Sequence, residues 1–207
     1  MEVLNSPTFL RHNLNSSILI TILMIVLIIP EHLIKLLEPN VIYTLVIFLF
    51  LTVLSILFLI QFYFNLTDYC NITKIKIPIA ITVVSYLFLL LSITTILIDK
   101  SNNIRASVSV TTVFLFLISV FSVLSLMVGF ILLGYKLYKS TNTYPHIRTV
   151  GVLYTIIVPV ITTTNLIFTG SSISRYVEPF EFLAEVVPPI IVIFLYRKIR
   201  EVQQNSL

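Results

Sequence analysis

A chain of 207 residues that is 57% hydrophobic and only 11% charged, with a mean hydropathy of +1.05, cannot clothe itself in a hydrated surface. Soluble domains carry about 25% charged residues, so the composition excludes a soluble domain and makes the lipid bilayer the solvent. The net charge of +4 sits in the connections between apolar runs, where it bears on orientation and not on nucleic acid.

Taken in order, the chain opens on a mixed polar stretch, Met1 to Ser16, with neither the basic n-region nor the small-residue cleavage site of a signal peptide. Six apolar segments follow, at about 17–34, 41–64, 78–98, 107–134, 149–169 and 180–196. At ~1.5 Å per residue the second reaches about 36 Å, enough to cross a ~30 Å hydrocarbon core with tilt. None alternates with period two, so barrel strands are excluded, and a spanning segment must satisfy its backbone internally. The expected fold is one all-α polytopic bundle of about six transmembrane helices. Pro30-Glu31-His32 marks the far end of the first span, and Pro78 falls in the first turn of the third, where no N–H donor is needed.

With both termini cytoplasmic, nine of the thirteen lysines and arginines fall inside. They include Lys136, Lys139, Arg148, Arg197, Lys198 and Arg200, and the positive-inside rule favours that orientation. Two glycosylation sequons, Asn65-Leu66-Thr67 and Asn71-Ile72-Thr73, pull the other way, since they lie in a loop placed inside. Tyr43, Phe62, Tyr63, Tyr135, Tyr138 and Tyr196 fall near predicted interfaces and read as an aromatic belt. Ser119, Ser122, Ser125 and Gly129 share one helical face and read as a helix-packing stripe. Cys70 is the single cysteine, which excludes an internal disulfide. Beside the membrane it reads as an inert thiol or a palmitoylation site.

One acid lies deep in an apolar segment. Glu185 is about 18 Å inward from Arg197, and Thr162 and Asn165 are about 20–24 Å inward from Thr149 on the antiparallel neighbour. The expectation is that Glu185 points into the bundle and is held by Thr162 or Asn165. An ionisable residue at that depth is a functional-site candidate, and a protonated structural glutamate is the alternative. Pro188 and Pro189 remove the donors for the carbonyls of Ala184 and Glu185, and Pro159 removes the one for Thr155. All three are candidate hinges, or merely prolines of the kind common in membrane helices. His12, His32 and His146 are scattered and form no metal-ligand spacing, and no phosphate loop or nucleophile motif is present. No cofactor, metal or catalytic activity is expected.

The last hundred residues resemble the tobamovirus-multiplication protein family of plants and its animal relative, the adipocyte-associated transmembrane protein. Gly129-Phe130-Ile131-Leu132-Leu133-Gly134-Tyr135-Lys136-Leu137 is similar to that family's Gly-Phe-x-Leu-x-Gly-x-Arg/Lys-Leu. Val150-Gly151 opens the next helix as in the family, and Glu185-x-x-Pro188, Phe194 and Arg197-Lys198 are similar to its ending. Glu181 and the Pro188-Pro189 doublet depart from the pattern. The resemblance implies a seven-span receptor-like fold of which this chain holds the last six helices. It further implies an endomembrane or plasma-membrane protein without known catalysis. Gln61-Phe62-Tyr63 stands where the main receptor class carries a charged triplet, so G-protein coupling is not implied.

Two functions are therefore expected in competition. One is a receptor-like or scaffold protein whose cytoplasmic protein partners dock on Lys136–Arg148 and the tail Arg197–Arg200, its ligand unknown. The other is a small transporter or ion-conducting protein with Glu185 as protonatable site. A truncated paralogue without function is the third reading.

Overall fold

The computed structural model describes residues 14–36, 41–102, 110–140, 144–160, 163–164 and 174–205, with side chains over most of these. Every described element is a helix: α1 (Leu14–Leu36), α2 (Val41–Cys70), α3 (Lys76–Asn102), α4 (Val110–Tyr138), α5 (Pro145–Val152, continuing as a π turn over Leu153–Ile157) and α6 (Ser174–Asn205). Five are long and apolar enough to cross a bilayer, and a shorter apolar helix, His146–Val160, stands with them. The chain is a multi-pass helical membrane protein. Its outer surface bears this out: Phe50, Phe114, Phe116 and Phe121 are each more than 60% exposed, which water would not tolerate over so wide an area.

The helices run past the apolar segments at most ends, because hydrogen bonding of the backbone continues into the interface where hydropathy has already fallen. α2 stops at Asn71, whose φ of 54° is left-handed, and the Ile72 N–H turns back to the Leu66 carbonyl at 3.0 Å. Pro78 lies in the first turn of α3 as expected, and Pro145 opens α5 after an extended Tyr144. Within the spans the hydroxyls of Thr21, Thr52, Thr82, Ser85, Ser92 and Ser122 each donate to the carbonyl four residues back. A serine or threonine satisfied by its own helix can sit in an apolar layer without a partner elsewhere.

Each helix packs on the next in chain order, and α6 returns against α1, so the six close into a ring. Two contacts give the register of that closing seam. Arg200 Nη1 donates to Asn15 Oδ1 at 3.0 Å, and His32 Nε2 meets Glu185 Oε2 at 3.3 Å. The two ends of the ring differ. At the end carrying the C-terminus, Phe62, Leu66, Ile75, Leu133, Leu137, Val150, Leu195 and Tyr196 are fully buried. Farther from that end the described residues leave a hollow between the helices.

Two pairs in the expected aromatic belt part company here. Tyr135 and Tyr138 are exposed at the end of α4, whereas Phe62 and Tyr196 are 0% exposed and belong to the core. Hydropathy alone gives a residue's depth and not the side of the helix it occupies, so belt and core look alike in sequence. The loop expected from residue 65 is also displaced. Asn65 lies inside α2, is completely buried, and donates from Nδ2 to Ser17 Oγ at 2.8 Å. A buried helical asparagine is no glycosylation acceptor, whereas Asn71 of the second sequon is exposed in the α2–α3 turn. Cys70, too, is buried as the last residue of α2.

The stripe on α4 does pack. Ser122 is buried, and a Cβ added to Gly129 would strike the Thr82 hydroxyl of α3. The backbones of α4 and α5 also approach closely. A Cβ on Gly134 would stand 2.5 Å from the Gly151 carbonyl oxygen and the Thr155 nitrogen. One on Gly151 would stand 2.5 Å from the Tyr138 nitrogen. The two glycines are thus reciprocal, backbone against backbone. Gly134→Ala is expected to destabilise by about 1–3 kcal/mol, the usual cost of overpacking. The lipid-facing Leu124→Ala should stay within about 0.5 kcal/mol of wild type. Thermal unfolding of the two purified variants in one detergent checks the difference.

Candidate functional site

The hollow end holds a cavity of about 330 Å³ to which all six helices contribute. Its size falls within the ~300–1,000 Å³ of small-molecule sites, and its place between helices of a bundle is where such sites occur. The helix directions set its depth. Met24 and Phe58 lie toward the packed end and form the floor, while Glu31 and Glu181 lie farther from it.

Glu185 faces inward, as expected, and lines this cavity. Its partner among the described residues comes from α1. His32 is 6% exposed and meets the Glu185 carboxylate edge-on while its ring stands at 82° to Phe182, centroids 5.4 Å apart. The Glu185 side chain keeps 38% of its surface accessible, so one carboxylate oxygen is held by a buried imidazole while the group stays open to the cavity. Thr162 and Asn165, the partners expected from the sequence, lie outside the described residues.

The prolines sit beside the acid. α6 remains helical through Pro179, Pro188 and Pro189, and the last two are buried and line the cavity floor one turn below Glu185. Neither can donate to the preceding turn, so the backbone under Glu185 carries carbonyls without their helical donors. In α5, Pro159 is buried and follows the π turn, where the Val158 N–H bonds back to the Leu153 carbonyl. Tyr154, within that turn, is buried and lines the cavity. Such π turns recur at functional sites.

The predicted basic residues gather at the other end. Lys136, Lys139, Arg148, Arg197, Lys198 and Arg200 are all exposed at the packed end of the ring. Lys139 donates to the Tyr135 hydroxyl at 2.9 Å, and that hydrogen bond holds its ammonium above the ordinary lysine range. Lys198 pairs with Glu201 at 3.0 Å. Among the described residues no group of three histidine, cysteine or carboxylate side chains is placed to hold a metal ion.

Glu185 stands out in the sequence, and its surroundings do not. Glu31 and His32 read there as the end of a span, and Glu181 only as a departure from a motif. The available signal was spacing: Glu181 and Glu185 are one turn apart on one face of α6, so an acid at 185 brings the acid at 181 along. Comparisons with protein-family models, with curated proteins and with solved structures find no match to this chain.

If the imidazole orients Glu185, the two side chains are energetically coupled. A double-mutant cycle of His32→Ala and Glu185→Ala is expected to give a coupling of about 1 kcal/mol, the scale of interhelical polar contacts in membrane proteins. Unfolding midpoints of the four proteins in detergent measure it, and strict additivity would mean that the contact orients nothing.

Proposed function

We propose that this chain is a receptor-like integral membrane protein without catalytic activity. It takes a small molecule into the central cavity and engages cytoplasmic proteins at the basic end, where both termini lie. One observation carries the reading: the ring is hollow at one end and packed solid at the other. A cavity lined by six helices touches every element of the fold, so occupancy can bias the packing of all of them. The closed end is ringed by exposed lysines and arginines, which supports a cytoplasmic setting for it and a surface for partners. The resemblance to a receptor-like plant and animal family points the same way, toward an endomembrane or plasma-membrane protein.

A second reading is favoured by a specific feature. Glu185 and His32 form an ionisable pair within the membrane, and such pairs mark proton and substrate paths in transporters. A transporter must open its cavity to both sides in turn, whereas a receptor-like protein needs only one opening.

Sidedness of access separates the two. In a Cys70→Ala background, Ser55→Cys puts a single thiol on the cavity wall contributed by α2. A membrane-impermeant trimethylammonium methanethiosulfonate is then applied to sealed vesicles of each orientation. Labelling is expected only from the side opposite the basic end. Comparable labelling from both sides would overturn the receptor-like reading in favour of transport.

A further inference from the structure

The cavity has a chemical polarity that points to a class of ligand. On one wall, α1 and α6 supply Glu31, Glu181 and Glu185. Every charged residue lining the cavity is a carboxylate; no lysine or arginine lines it among the described residues. The opposite wall is aromatic. Tyr86 of α3, Phe130 of α4 and Tyr154 of α5 follow one another in series, with centroids 6.5 Å apart for Tyr86 and Phe130 and 5.2 Å for Phe130 and Tyr154. Phe130 is edge-on to Tyr86 at 83° and tilted to Tyr154 at 33°, and all three rings line the cavity.

These two walls ask for different things. An aromatic surface favours an apolar body, and ring faces attract an ammonium group as well. A carboxylate held in place by a buried histidine is a preorganised acceptor for a charge-assisted N–H donor. His32 gives one oxygen of Glu185 its fixed place, and the accessible part of the carboxylate turns to the cavity. Glu181 stands one turn, about 6 Å, from Glu185 on the same helix. A cation seated beside Glu185 is therefore within reach of a second carboxylate, at a level where the low dielectric strengthens the attraction.

We propose that the cavity binds an amphiphilic organic cation, an alkyl or arylalkyl amine, with its ammonium at Glu185 and Glu181 and its apolar body on the Tyr86–Phe130–Tyr154 surface. This rests on the receptor-like reading for its biological meaning and on the cavity alone for its chemistry.

Three probes sharing one body and differing in charge test it: 4-phenylbutylamine, 4-phenylbutanol and 4-phenylbutyrate. The readout is protection of the Ser55→Cys thiol, in the Cys70→Ala protein in nanodiscs, from neutral N-ethylmaleimide. The amine is expected to protect at concentrations about tenfold below the alcohol, the worth of one charge-assisted contact, and the acid to protect least. In Glu181→Gln/Glu185→Gln the amine and the alcohol should become equal. If that double variant unfolds at a lower temperature than its parent, Glu181→Gln alone carries the test and should narrow the amine preference at least threefold. Equal protection by all three probes overturns the proposal, as does best protection by the acid or an amine preference that survives loss of the carboxylates. The two readings fail separately. Two-sided labelling with an intact amine preference overturns the receptor-like reading alone, and one-sided labelling without the preference overturns this proposal alone.

Discussion

The seam between the first and last helices holds the architecture together. Five of the six helix contacts join neighbours in the chain and would exist in an open sheet of helices. The contact of α6 with α1 closes that sheet into a ring and so creates an inside. It is held at two levels, by Arg200 on Asn15 near the tail and by Glu185 on His32 toward the far end. The inner pair joins an ionisable carboxylate to a buried imidazole at a depth where such groups are costly. Closing the ring thus gives Glu185 its histidine partner and, by the same contact, fixes one wall of the cavity.

Packing then divides the ring in two. At the tail end the close glycine pair of α4 and α5, the buried Asn65–Ser17 bond and the fully buried Tyr196 leave no room between the helices. At the other end, aromatic residues and prolines stand where more small residues would be needed to draw the helices together. Prolines interrupt the helical hydrogen bonding beside the cavity, and the π turn before Pro159 carries Tyr154, which lines it.

Several expectations met the structure unevenly, and for one reason. Depth along a helix can be counted from a basic residue at its end, as from Arg197 to Glu185 in α6. Azimuth around the helix cannot be counted in the same way when almost every residue is apolar, since the hydrophobic face that marks an interior in soluble proteins is missing in lipid. Phe62 and Tyr196 were therefore assigned to the interface but lie in the core, and Asn65 was assigned to a loop but is buried in α2. His32 stood in plain view as the end of a span. Its significance depended on which helix lay opposite.

The amino-acid sequence determined the solvent, the helical class and the count and rough limits of the apolar segments. These follow from composition and from the need of a lipid-immersed backbone to bond within itself. It also singled out one acid as out of place, because no hydration offsets a carboxylate in an apolar helix. Only the tertiary structure decided that α1 and α6 are neighbours, that His32 is the partner of Glu185, and that three carboxylates face an aromatic wall across a shared cavity. Those relations join residues 153 positions apart. They arise from ring closure, which no local pattern encodes.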